Sequence, residues 1–203
     1  MKLYDEQNPA PNPRRVRIFL AEKGISIPLV HVPLRQGAHK SADFMAKNSL
    51  GQVPVLELDD GSTLSESIAI CRYLEELHPA PALFGNDAWQ RARVEMWTRR
   101  LEFALMSRIG AVWINTHKYT AHLGMQYKDF GEASRLRAIK ALHWLNDELQ
   151  TREFLATDQF SMADIVALTT IDFATFIGIE TPAELSHLHA WHARVSARPS
   201  AAA

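Results

Sequence analysis

The sequence predicts an α/β domain followed by an all-helical domain, and three observations carry that reading. Residues 1–78 mix short β-branched runs with helical stretches. His78-Pro79-Ala80-Pro81-Ala82 is punctuated by proline and interrupts the pattern, as linkers do. Beyond it the apolar residues follow the helical period and no strand pattern returns. The expected organisation is an α/β domain at 1–78, a linker at 79–86 and a helical domain at 87–203.

In the first half, Lys2 to Tyr4 reads as an opening strand. A helix follows, with Asn12 as N-cap and Pro13 at the first helical position, where a missing N–H costs nothing. Val16, Phe19 and Leu20 share one face of it, and Gly24 supplies the stop. Ile27–Val32 and Val53–Leu58 carry the β-branched residues of strands. Asp59-Asp60-Gly61 is hairpin chemistry ahead of Thr63-Leu64. A second helix begins near Ser65 to Ser67 and turns Ile70, Tyr73, Leu74 and Leu77 inward.

The second half reads as a helical bundle. Asn86 to about His117 forms one long pattern, with Val94, Trp97, Leu101 and Leu105 on a stripe. Phe130–Leu149, Met162–Ile177 and Pro182–Arg198 follow. Ser161-x-x-Asp164 is a capping box, with Phe160 and Ile165 spaced as a hydrophobic staple, and is assigned to folding. The Ala-rich terminus is expected to fray.

Composition narrows the function. Of 203 residues, 47% are apolar and 22% charged, the balance of an ordinary globular protein. A formal net charge of -1 lacks the basic footprint of a nucleic-acid binder. No run approaches the roughly 18 apolar residues of a membrane span. Acidic Asp5 and Glu6 stand where a signal peptide carries its apolar core. Cys71, the single cysteine, rules out an internal disulfide and sits among apolar helix neighbours as a small core residue. A cytoplasmic protein is expected.

Two motifs carry chemistry. Pro54 interrupts the strand-like Gly51-Gln52-Val53-Pro54-Val55-Leu56, where a central strand does not tolerate a missing N–H. A turn at the strand's start resolves this, and before proline the cis isomer costs only about 0.5–1 kcal/mol. Such a turn is either purely structural or leaves the Val53 N–H and C=O available to an extended peptide. Ser65-Glu66-Ser67 opens a helix whose free amides attract a carboxylate. The Ser67 hydroxyl adds a donor and Glu66 accepts from an ammonium, which together suit an amino-acid head group. Simple capping is the alternative.

Together, Asn48-Ser49-Leu50-Gly51-Gln52-Val53-Pro54-Val55-Leu56 and Leu64-Ser65-Glu66-Ser67-Ile68-Ala69-Ile70 resemble the signature of cytosolic glutathione S-transferases. Arg15-Val16-Arg17-Ile18, Ala21-Glu22-Lys23-Gly24-Ile25 and Phe160-Ser161-Met162-Ala163-Asp164-Ile165 resemble further stretches of that family, in its order. The resemblance implies a thioredoxin-like N-terminal domain and a helical C-terminal domain. It implies that Val53, before a cis Pro54, pairs with the cysteinyl unit of reduced glutathione and that Glu66 and Ser67 hold the γ-glutamyl end. His39, Lys40 and Gln52 are candidates for the glycyl side. The implied activity is conjugation of glutathione to a small, largely apolar electrophile, without a metal, in a homodimer. The helices around Ile70–Leu77 and Val94–Leu105 are then expected near the dimer interface.

The sequence departs from the family in one respect. Relatives place a Ser, Tyr or Cys near the start of the first helix to stabilise the thiolate, yet Gln7-Asn8-Pro9-Ala10-Pro11-Asn12-Pro13 holds no hydroxyl and no thiol. Tyr4 belongs to the opening strand. Asn12, through its side chain or the free amides around it, is one substitute; otherwise it is only a cap. His117, holding a water from the helical domain, is the other, with His122 as its rival. The acceptor pocket is expected from Ala10, Pro11, Arg108, Val112, Trp113 and Tyr119, of which only outward-facing members qualify. Glutathione-dependent isomerisation, dehalogenation or peroxide reduction would use the same binding site, as would a non-catalytic stress protein.

Overall fold

The computed structural model describes residues 1–7 and 10–203, and these divide into two units: Met1–Leu83 with Pro199–Ala203, and Phe84–Arg198. Asn8 and Pro9 of the proline-rich stretch lie outside the described residues.

The first unit runs β1 (Lys2–Asp5), α1 (Pro11–Lys23), β2 (Leu29–His31), a short α2 (Ala42–Met45), β3 (Val55–Glu57), β4 (Thr63–Ser65) and α3 (Ser67–Leu77). The sheet order is β2-β1-β3-β4. Only β1 and β2 are parallel, Leu3 facing Leu29; β3 is antiparallel to both β1 and β4. This is the mixed sheet expected of a thioredoxin-like domain. Its core holds Leu3, Val55 and Leu56 from the sheet with Ile70 and Leu74 from α3, all fully buried. Each such side chain contributes roughly 1.5–3 kcal/mol over leaving it in water.

Helix α1 departs from expectation at its start. Pro11, not Pro13, takes the first helical position, and Ala10 is the N-cap with no side-chain bond. Asn12 is therefore inside the first turn rather than its cap. Pro11 has the φ that position needs, so the helix begins at the earlier proline. The far end is as read: Gly24 is left-handed at φ 64°, its N–H bonds Ala21, and the Ile25 N–H bonds Leu20. The buried surface of α1 is wider than the expected stripe and includes Arg15 and Ile18. The cause is that α1 packs against both α3 and the C-terminal turn Pro199–Ala202. That tail, expected to fray, is instead held: Arg14 Nη2 donates to the Ala201 carbonyl at 2.8 Å, and the Ser200 hydroxyl bonds Glu22.

The second unit contains no strand among the described residues. α4 (Ala88–Arg100) continues through a π-helical turn, Leu101–Met106, into α5 (Ser107–Thr116). α6 (Lys128–Glu148), α7 (Met162–Phe176) and α8 (Ser186–Ser196) follow. The capping box at Ser161 and Asp164 is present. The Asp164 carboxylate also accepts from the Leu155 N–H and the Trp191 indole, each at 3.0 Å. Burial pushes this carboxyl above its usual range, and the converging donors oppose that shift. No helix among the described residues is long and apolar enough to cross a membrane.

Candidate active site

The sheet register brings the two motifs together. Val55 pairs with both Tyr4 on β1 and Ser65 on β4. The turn before β3, the residue after β4 and the chain leaving β1 toward α1 therefore lie at one end of the sheet. Val53–Pro54 is cis, and β3 starts only at Val55, which leaves the Val53 amide and carbonyl outside the ladder. Asn48 fixes the preceding loop: its Nδ2 donates to the Gln52 carbonyl at 2.8 Å, and its Oδ1 accepts from the Leu50 N–H at 3.1 Å.

Gly51 allows that loop to close. At φ 57° a Cβ would stand 2.7 Å from the His39 carbonyl and 2.9 Å from Lys40 Nζ. The structure thus places His39 and Lys40 against the loop that carries Gln52. Lys40 Nζ is committed to the Leu50 carbonyl at 2.9 Å, while Gln52 is exposed. His39 keeps a buried Nδ1 without a hydrogen-bond partner. Burial, and secondarily the Lys40 charge, holds its pKa below the usual imidazole value.

On the other side of the same sheet end, Glu66 has φ 70° and ψ 115°, the only non-glycine residue with positive φ among those described. Such a conformation costs of order 1–3 kcal/mol and persists only where its surroundings impose it. Glu66 is exposed and occupies the N-cap of α3 without a side-chain cap bond, so the first-turn amides have no acceptor from it. Ser67 follows, 5% exposed, with Arg15 Nη1 3.5 Å from its hydroxyl. In the sequence Arg15 belongs only to the stretch Arg15-Val16-Arg17-Ile18. A charge one position before the apolar Val16 on a helix so rich in arginine gave no sign of burial.

At the start of α1, Pro11 and Pro13 have no N–H, and the Arg14 N–H bonds the Ala10 carbonyl at 3.3 Å. Within the first turn, the Asn12 amide is the one donor left to an anion at the positive helix end. Tyr4 is occupied elsewhere: its hydroxyl donates to Glu57 at 2.8 Å and its ring packs edge-on against Phe44. Cys71 is fully buried, and burial pushes its thiol far up, as befits a core residue.

In the second unit, the Trp113 and His117 rings lie tilted at 33° with centroids 4.4 Å apart, and Trp113 also meets Phe173 at 5.4 Å and Phe176 at 6.2 Å. Tyr119 is exposed, 5.0 Å from His117, and Arg108 is half-buried on α5. Val112, expected among the pocket residues, is 1% exposed and belongs to the unit's core, because it lies on the inward stripe with Ile109. His117 closes α5, and its Nδ1 accepts from the Tyr119 N–H at 3.3 Å. In the neutral ring this places the proton on Nε2. Burial, then Lys118, lowers the His117 pKa, so the imidazole is a neutral donor near pH 7. The rival His122 is exposed. Among the described residues, no three His, Cys, Asp or Glu side chains are grouped as metal ligands.

Comparison with known proteins covers both units. Residues 10–77 match the family described as Glutathione S-transferase, N-terminal domain, and residues 126–199 match Glutathione S-transferase, C-terminal domain. Glutathione S-transferase 2 of Saccharomyces cerevisiae is 38% identical over 208 residues, covering 98% of this chain and 87% of that protein. Human glutathione S-transferase theta-2 is 34% identical, covering 91% and 76% respectively. Among solved structures, a glutathione S-transferase domain-containing protein of Marinobacter aquaeolei superposes with TM-score 0.94 at 42% identity, covering 98% of this chain and 99% of its own. Gtt2 of Saccharomyces cerevisiae superposes with TM-score 0.93 at 36% identity, covering 98% of each. With both units matched, and with relatives above 30% identity spanning nearly its whole length, the chain belongs to the glutathione S-transferase family.

Proposed function

We propose that this protein is an enzyme joining the thiol of reduced glutathione to a small, largely apolar electrophile. The observation that carries the reading is the meeting, at one sheet end, of the unladdered Val53 backbone with the uncapped amides and hydroxyl at the start of α3. An extended cysteinyl unit pairs with Val53. The γ-glutamyl carboxylate takes the α3 amides and Ser67, and its ammonium takes Glu66. The glycyl end faces His39, Lys40 and Gln52.

Chemistry then requires a thiolate. A free thiol near pKa 8.5 is only a few per cent ionised at pH 7, and lowering it by two units takes about 2.7 kcal/mol. With no hydroxyl or thiol on the described part of that stretch, the Asn12 amide at the positive end of α1 supplies one stabilising donor. We assign the neutral Nε2–H of His117, on the second unit, as the other candidate donor. The thiol proton leaves to solvent. The sulfur electron pair forms the new bond to carbon, and the acceptor's leaving group departs with its own pair. The aromatic surface of Trp113 and Tyr119 favours an apolar acceptor, with Arg108 on the same helix as Trp113; Ala10 and Pro11 are acceptor candidates on the first unit. No metal enters this scheme, and we assign the enzyme to the cytoplasm as a homodimer.

Calorimetric titration with reduced glutathione tests the binding half, and a panel of electrophiles tests the conjugation half. One saturable site per chain is expected. No binding up to millimolar glutathione would overturn the reading.

A further inference from the structure

The connection from α5 to α6 is exposed from Lys118 to Tyr127 except at Thr120 and Gln126. The last carbonyls of α5, from Trp113 on, need donors from outside the helix. No left-handed glycine supplies them: the C-cap is His117, extended at φ -82° and ψ 136°. Two side chains take that role. The Thr120 hydroxyl lies 2.6 Å from the Trp113 carbonyl and 2.8 Å from that of His117, and its single proton serves one of them. Gln126 Nε2 carries two hydrogens and reaches back to the Ile114 carbonyl at 3.1 Å and the His117 carbonyl at 2.9 Å.

The backbone around Gln126 is held against the same helix end. The Tyr127 N–H donates to Oδ1 of the buried Asn115 at 3.0 Å. Gly131, one turn on, lets α6 begin close by, since a Cβ there would stand 2.4 Å from Thr116 Cγ2. Gln126 thus starts from a fixed place, and its amide is a cap supplied nine residues after the cap position.

What this cap holds is the residue whose ring faces the aromatic surface. The His117 carbonyl accepts from Gln126 and from the Thr120 N–H at 3.1 Å, while Nδ1 of its ring accepts from the Tyr119 N–H. Main chain and ring of His117 are therefore tied to one turn. The ring lies 4.4 Å from Trp113 and 6.3 Å from Phe176, and those distances follow from where the carbonyl is anchored.

We infer, on the reading of His117 as a donor to sulfur, that Gln126 is its positioning residue: the Gln126 amide holds the His117 carbonyl and thereby aims the Nε2–H.

The test compares Gln126→Met, of similar length without donors, with Gln126→Lys, whose ammonium keeps donors for the same carbonyls and suits the negative end of a helix. The carbon-bound ring protons of His117, shifted by the Trp113 indole, report where the ring lies. In Gln126→Met their NMR lines should move toward free-histidine positions, and conjugation should slow about tenfold with glutathione affinity within about twofold. Gln126→Lys should keep the lines near the parent's and most of the rate. Gln126→Asn, one methylene short of both carbonyls, is the milder variant and should move the lines the same way by less. Combining Gln126→Met with His117→Ala should slow conjugation no further than His117→Ala alone, because one residue acts through the other. Ring lines unmoved in both Gln126→Met and Gln126→Asn, or a double variant clearly slower than His117→Ala, would overturn the assignment. If His117→Ala itself conjugates at the parent's rate, the sulfur-donor reading falls, and the ring lines alone decide whether Gln126 places the imidazole.

Discussion

Arg15 reaches within 3.5 Å of the Ser67 hydroxyl, and both side chains are buried. The contact ties the second turn of α1 to the first residue of α3. It also fixes what the hydroxyl can do. Its oxygen accepts from a cation, so its proton is left to donate, and the donor is polarised by the charge behind it.

Ser67→Ala should therefore weaken glutathione binding by about 1–2 kcal/mol, a factor of about 5–30. Calorimetry on the purified variant measures it. Equal affinity in parent and variant would remove Ser67 from the γ-glutamyl site and leave it a packing residue.

Asp164 gives the sharpest stability prediction. Four donors converge on its carboxylate: the Leu155 and Ser161 amides, the Ser161 hydroxyl and the Trp191 indole, at 2.9 to 3.0 Å. Asp164→Ala strands them in a fully buried place and should cost about 3 kcal/mol or more. Asp164→Asn keeps one acceptor oxygen and should lose less. Urea midpoints of the two variants check the order; an Asn variant as damaged as the Ala variant would show that charge, not acceptor count, is what matters there.

The same residue shows where sequence was a sufficient guide. The Ser161–Asp164 spacing and the Gly24 stop are local patterns, decided within a few residues, and both appear as read. The Val53–Pro54 turn was legible because a proline inside a strand-like run has few solutions. Reading failed where the deciding contact is distant in sequence. The tail at Ser200 is held by Glu22 and Arg14 of α1, packing that no periodicity encodes. At Asn12 two prolines competed for one position, and the rule for either was the same. The strained Glu66 backbone left no mark in its residue type at all.

Glu57 sets an acid limit on the first unit. Lys47 at 2.7 Å, Lys2 at 2.9 Å and the Tyr4 hydroxyl hold its carboxyl down from 4.5 to about 2. A depressed carboxyl stabilises the fold above its unfolded value and loses that contribution as pH falls through its folded value. Glu57→Gln should thus unfold at lower urea than the parent at pH 7. The gap should narrow below about pH 4.5 and close near pH 2. A gap that stays constant across this window would mean the carboxylate's charge contributes nothing.

His117 connects protonation to turnover. Burial is the larger cause of its lowered pKa and Lys118 the smaller, so Lys118→Ala should raise the value while leaving it below the ordinary 6.5. The neutral ring is favoured by folding, so its contribution to stability is intact above pH 6.5 and declines as pH falls below it. A ¹⁵N titration of the imidazole measures both the value and the tautomer, which should place hydrogen on Nε2. If that hydrogen serves the thiolate through a water, His117→Ala should slow conjugation about tenfold, the loss of about 1.4 kcal/mol in the transition state. Glutathione affinity should stay within about twofold, since the contacts assigned to the peptide backbone and both ends of glutathione do not involve this ring. His117→Gln, whose amide N–H₂ stands near the position of Nε2, should recover part of the rate. A variant that loses affinity and rate together, with no recovery by glutamine, would make His117 a wall of the aromatic surface on Trp113 rather than a donor to sulfur.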